Sequence, residues 1–114
     1  MSKQVAETLE KARMLMNGGG KHWSRGDYIK HKAGVDGLCY CAFAAVQTAA
    51  GVKANELHAI EFLVAALPKA YKEGFSPTEC IIVYNDSKHR RWKHIDALFK
   101  RAIKLALDAD SAAV

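Results

Sequence analysis

Apolar residues recur every three or four positions over residues 3–16. Val5, Leu9, Ala12 and Met16 fall on one face with Leu15 beside them, and Lys3, Glu7, Glu10, Lys11 and Arg13 take the other. That spacing predicts an amphipathic helix, with Ser2 as its N-cap and Asn17-Gly18-Gly19-Gly20 as its stop. The densest apolar run, Gly37 to Val46, is made of small residues and holds two cysteines. Small residues let neighbouring segments approach closely, so this run predicts a central buried helix from about Leu38 to Ala50, stopped at Gly51. Cys41, Ala44, Ala45, Thr48 and Ala49 are its expected packed face. Leu57, Ile60, Leu63, Val64 and Leu67 repeat with helical spacing behind Asn55, an apparent N-cap, which predicts a third helix over about 56–67. Pro68 should break it, with one or two further turns through Tyr71 and an end at Gly74. Ser76-Pro77-Thr78-Glu79 combines a capping Ser, Pro at the first helical position and Glu at the third, a specific helix start. The run Ile81-Ile82-Val83 favours a strand, but the cap decides for a helix over 77–84. Asn85-Asp86-Ser87 is expected to turn. A last helix follows from about Arg91 to Asp108, with Ile95, Leu98, Phe99, Ala102 and Leu105 inward and the tail from Asp110 to Val114 frayed.

Residues 21–37 carry no such period. They are polar, basic and turn-rich, and Tyr28-Ile29 with Val35 could close a short hairpin around Lys32-Ala33-Gly34. The expected fold is therefore mainly α: a compact bundle of four to five helices around the small-residue central helix, with an irregular loop or short hairpin at 21–37. The 114 residues make one domain, 1–114, and half of them are apolar, enough for a core without metal or disulfide staples.

Composition narrows the setting. Three cysteines is an odd number, Met1-Ser2-Lys3-Gln4 lacks the apolar stretch of a secretory signal, and no apolar run approaches the roughly 20 residues a membrane span needs. A cytoplasmic protein with reduced thiols and no membrane contact is the expectation. The formal net charge of +5 suits an anionic partner, or solubility alone.

Candidate chemistry is sparse. Lys88-His89-Arg90-Arg91-Trp92-Lys93-His94 is the densest basic cluster and sits at the expected N-terminus of the last helix, where the helix dipole also favours anions. Lys21, Arg25, Lys30 and Lys32 form a second basic stretch. Arginine offers a bidentate fork to phosphate or carboxylate, and Trp92 could stack on a base. The bland alternative is a solvated helix end. Trp23 either plugs the core or joins Arg25 and Tyr28 in a stacking platform. The triple glycine lacks the Gly-Lys-Ser/Thr and preceding strand of a phosphate loop. Cys39-x-Cys41 has the wrong spacing for a zinc knuckle. A shared metal would need Cys39 in the preceding loop with His22 or His31, and two buried thiols are the simpler reading, so no metal or cofactor is expected. Asn85 and Asp86 readily bond to backbone amides, which assigns them to structure before catalysis.

The order of features resembles an uncharacterised family of small phage and actinobacterial proteins, the domain-of-unknown-function family DUF6197. The family's Trp-x-x-Gly segment appears as Trp23-Ser24-Arg25-Gly26, its Cys-Ala-x-Gly-Ala helix start as Cys41-Ala42-Phe43-Ala44-Ala45, and its Trp-Asn-Asp turn as Tyr84-Asn85-Asp86. The likeness spans roughly residues 5–105. Three departures stand out: Ala44 replaces the family's Gly, Tyr84 its Trp, and Arg91 the Ser or Thr that caps the last helix. The resemblance implies a fold and a phage-like origin and no known activity. It singles out Trp23, Gly26, Cys41, Tyr84, Asn85 and Asp86 as the family's structural motif.

Two functional expectations follow. The first is a small non-catalytic phage-type accessory protein in the host cytoplasm. It would bind a host protein with an acidic face, a nucleic acid or a nucleotide through the basic residues 88–94 with Arg25, Lys30 and Lys32, and so inhibit a host defence or another host process. The second is a thiol enzyme, in which Cys41 near a helix start works with a His of the 89–94 cluster and Asn85 or Asp86.

Overall fold

A computed structural model describes residues 2–17 and 19–112, the side chains of Ser2 and 110–112 excepted. Five helices carry the fold: α1 (Ser2–Met16), α2 (Ala42–Ala50), α3 (Lys53–Ala66), α4 (Pro77–Asp86) and α5 (Trp92–Ala112). Two short strands, β1 (Ile29–Lys30) and β2 (Cys39–Tyr40), pair antiparallel, and a 3₁₀ turn spans Lys69–Tyr71. The architecture is the mainly α bundle expected from the pattern.

The broadest seam runs between α1 and α5, with α3 packed on α5 and α2 packed on α1, α3 and α4. Val5, Leu9, Ala12 and Met16 of α1 face Ile95, Leu98, Phe99 and Ala102 of α5, all of them buried. Ala42, Ala45 and Val46 bring α2 close to this seam, and Ile60, Leu63 and Ile81 fill the remaining side. At the rim Arg13 ties α1 to α5. Its guanidinium donates to Asp96 at 2.8 Å and to Glu10 at 2.9 Å. The hydrogen bonds from Arg13 hold the Glu10 carboxyl below the usual carboxylate range. Burial pushes Asp96 up, but the bonds and charges of Arg13 and Lys100 outweigh it and leave Asp96 lowered.

Several boundaries differ from the sequence expectation. The central helix begins at Ala42, not Leu38, because Cys39 and Tyr40 are strand. Tyr40 N–H donates to His22 O at 2.8 Å, and Ser24 N–H returns to Tyr40 O at 2.8 Å. Cys41 is instead the N-cap of α2, in extended backbone, accepting Ala44 N–H through sulfur at 3.4 Å. Of its expected packed face, Cys41, Ala44 and Ala45 are buried, Ala49 is half-buried and Thr48 is exposed. The hairpin pairs Ile29 with Tyr40 and Lys30 with Cys39, so Val35 lies in the connecting loop and not in a strand.

The third helix starts at Lys53, with Val52 in the cap position and no side-chain cap. Asn55 is inside it, its amide donating to Thr8 Oγ1 at 3.1 Å. Leu57 is exposed, and Ala59 and Glu56 take buried places on α3. The helix ends at Ala66 because Leu67, preceding Pro68, adopts extended backbone.

The capped helix at Ser76 forms as expected, with Ser76 Oγ accepting Glu79 N–H. It runs on through Asn85 and Asp86, which occupy its last turn and not a loop. Leu105 is 39% exposed and Ala106 holds the inward position on α5. Instead of fraying from Asp110, α5 continues to Ala112, while Ala113 and Val114 lie outside the described residues. So do Gly18 of the helix stop and the side chain of Ser2, the expected cap. No helix among the described residues is long and apolar enough to cross a membrane.

Candidate anion-binding cleft

The Trp23–Gly26 segment has little regular structure of its own, and a buried asparagine holds it in place. Asn85, wholly buried at the end of α4, accepts Trp23 Nε1–H at 2.7 Å and Ala42 N–H at 3.0 Å. Its amide donates to Ser24 O at 2.9 Å and to Asp86 Oδ1 at 2.8 Å. Asp86 Oδ1 in turn accepts Gly26 N–H at 2.8 Å. Gly26 sits at φ 89, in the region other residues rarely enter. Trp23, Gly26, Asn85 and Asp86 are thus one hydrogen-bonded cluster that also meets the first residue of α2. Tyr84, beside it, is buried and forms an edge-on pair with Tyr71 at 5.1 Å. Ser24 Oγ, buried in the same segment, has no partner among the described residues.

This cluster brings the two basic stretches together. Gly19, Gly20, Trp23, Arg25, Lys30 and Lys32 from one stretch and Arg90, Arg91 and Trp92 from the other together line an open cleft of about 480 Å³. Among the described residues no acidic one lines it, though Lys30 is paired with Asp27. Gly20 is required by the closure. Its φ is 88, and a Cβ there would lie 2.6 Å from Trp92 Cβ.

The cations of the cleft are not equivalent. Arg90 turns inward: its Nε donates to Tyr84 O at 2.8 Å, an Nη donates to Tyr71 Oη at 2.9 Å, and its guanidinium carbon lies over the Tyr84 ring, 3.7 Å from the centroid. The Tyr71 hydroxyl is lowered by its hydrogen bond with Ser87 and by the Arg90 charge. Lys32 donates to Trp23 O and Lys21 O. Lys30 pairs with Asp27 at 3.0 Å. Arg25 makes one long contact, 3.5 Å to Arg90 O, and among the described residues the Arg91 guanidinium makes none.

Lys88, His89 and Lys93 are exposed and His94 is half-buried, and none of the four lines the cleft. His89 takes the left-handed position, φ 71, of the turn closed by Arg90 N–H to Ser87 O. His94, in the first turn of α5, reaches back and accepts Arg91 N–H at Nδ1, 3.0 Å away, which is the bond a capping-box partner makes to the cap residue and not the one the Ser or Thr missing from position 91 would make. Burial, then the charges of Arg90, Lys93 and Arg91, lower its pKa. Sequence reading missed Gly19 and Gly20 as wall residues and Tyr71 as the seat of Arg90. The triple glycine was the visible signal for the first two, while nothing local marks Tyr71.

The cysteines are free and buried. Burial raises the Cys41 thiol, and the nearby Asp86 charge raises it further, outweighing the backbone N–H groups at the helix start. Cys39 Sγ donates to Lys21 O at 3.4 Å. Among the described residues no three His, Cys, Asp or Glu side chains converge as a metal would need. A larger groove of about 870 Å³ beside α1 includes Glu7, Met14 and Asn55 and contains none of the candidate residues.

Fold and cleft define a small helical protein with an open recess lined by Arg25, Lys30, Lys32, Arg90 and Arg91 among others. Family of unknown function (DUF6197) matches residues 1–105, and the chain belongs to that family. No curated protein matches the chain, and no solved structure does.

Proposed function

We propose that this protein is a non-catalytic binding protein that captures an anionic, phosphate-bearing ligand in the cleft between the 19–32 segment and the start of α5. The observation that carries this reading is the convergence of two basic stretches, distant in sequence, on one recess whose lining holds no carboxylate. Cations gathered within a Debye length of one another attract an anion more strongly than the same charges spread over a surface, and of those lining the recess Lys30 is paired with a carboxylate, that of Asp27. The N-terminus of the long helix α5 lies at the same place and adds a favourable dipole. Binding is preferred to thiol catalysis because the Cys41 thiol is held in its neutral form by burial and by Asp86, and is used as a helix cap. In its biological setting the protein acts as a phage-type accessory factor in the host cytoplasm, occupying a host macromolecule or ligand and blocking a host defence or another host process.

Native mass spectrometry of the protein purified from its expression host tests the reading, paired with a salt titration of pyrophosphate and polyphosphate binding. The expected result is a retained anionic adduct, or anion binding that weakens steeply with salt and is abolished in the Arg25→Glu/Arg91→Glu double variant. A bare mass, with no anion binding or with binding indifferent to both arginines, overturns it.

A further inference from the structure

The cleft contains two kinds of cation, and the difference points to the class of ligand. Arg90, Lys32 and Lys30 are occupied by the protein itself, through tyrosines, backbone carbonyls and Asp27. Their role is to build the walls. Arg25 and Arg91, one from each basic stretch, both line the recess with their guanidinium groups largely unspent: Arg25 makes one long bond to Arg90 O at 3.5 Å, and among the described residues the Arg91 guanidinium makes none. Beside Arg91, Trp92 also lines the recess, half-buried against the core with its Cβ and Cγ close to Gly20.

Resting on the reading of this cleft as an anion site, we infer that its ligand is a nucleotide, free or as a unit of a single strand, with phosphate oxygens between Arg25 and Arg91 and the base against Trp92. Three features favour this over a bare phosphate or an acidic peptide. Two planar guanidiniums facing one recess match the several oxygens of a phosphate ester better than a lone carboxylate. An indole at the same rim supplies a stacking surface that an inorganic anion cannot use and that any base can. The volume of about 480 Å³ falls in the range of small-ligand sites.

The test is a titration of the full chain with ADP, pyrophosphate, adenosine and a short oligothymidylate. It is read by tryptophan fluorescence and by amide and indole NMR shifts, in wild type, Arg25→Gln, Arg91→Gln and Trp92→Phe. ADP or the oligonucleotide is expected to bind about tenfold or more tighter than pyrophosphate and adenosine, with the Trp92 indole signal shifting. Each arginine substitution should weaken that ligand and leave adenosine unchanged. Whether ADP or the strand binds better separates a free nucleotide from a strand unit, and both support the inference. Pyrophosphate binding as tightly as ADP, with the same dependence on Arg25 and Arg91, overturns the nucleotide while leaving the anion site standing. Absence of any shift at residues 25, 91 and 92 overturns both. The indole shift is read in the wild-type protein, so the result stands even if Trp92→Phe fails to fold.

Discussion

Truncating Asn85 to Ala removes the whole carboxamide of a residue with no solvent exposure. Four hydrogen bonds disappear together: two into Oδ1, from the Trp23 indole and the Ala42 amide, and two from Nδ2, to Ser24 O and Asp86 Oδ1. Asp86 is exposed and can turn to water. The other three groups lose their partner inside the protein, and each buried orphan costs about 1–3 kcal/mol. Trp23 is half-buried and recovers part of its loss, and the three are coupled, so the expected destabilisation is about 3–5 kcal/mol. That is a large share of the stability of an ordinary domain. Urea unfolding followed by tryptophan fluorescence and far-UV circular dichroism gives the number, since Trp23 reports on the cluster itself. Asn85→Leu, close in volume but without polar atoms, should be about as damaging as Asn85→Ala. Asp86→Ala, which removes the acceptor of Gly26 N–H and of one Asn85 Nδ2–H but leaves the other Asn85 bonds in place, should cost about 1–3 kcal/mol. A loss below about 1 kcal/mol for Asn85→Ala, or near-complete rescue by Leu, would refute the argument, because the site would then be sensitive to volume and not to polar satisfaction.

Other consequences follow from the same geometry. Gly20→Ala places a Cβ 2.6 Å from Trp92 Cβ at φ 88 and should destabilise by about 2 kcal/mol or more. Gly19→Ala, with nothing within 4 Å, should cost only the backbone term of about 1–2 kcal/mol, and equal urea midpoints for the two would contradict the contact. His94 has a pKa below 6.5 in the folded protein, so as pH falls the unfolded chain takes the proton first. Stability present at neutral pH is therefore lost as pH drops below about 6.5 toward the folded value. The difference in urea midpoint between wild type and His94→Ala, taken at about pH 7.5 and about pH 5.5, should shrink at the lower pH, and a constant difference would rule out the Nδ1 cap. Cys41, buried and with its thiol raised, should resist iodoacetamide in the native protein and react in denaturant. Rapid native alkylation mapped to its peptide would restore the thiol-enzyme reading.

Much of the bundle was legible in the chain because helix periodicity and caps are local. The faces of α1 and α5 are set by spacing alone, since every residue three or four apart on a helix shares a side, and the Ser76–Glu79 cap needs only the backbone it closes. Charge composition alone marked Arg25, Lys30, Lys32, Arg90 and Arg91 as candidates. Errors arose where a distant partner sets the local structure. Gly37 to Val46 reads as one helix, yet its first part is strand because the 22–24 segment and β1 supply backbone partners to Tyr40 and Cys39. Asn85 and Asp86 read as a turn, yet they extend α4 because their side chains are consumed by residues near position 25. The cleft belongs wholly to this second level. A basic residue in the sequence carries only its charge. Tyr84, Tyr71 and Asp27 commit Arg90 and Lys30 to the protein, while Arg25 keeps one long contact and the Arg91 guanidinium none among the described residues, and only tertiary contacts make that division.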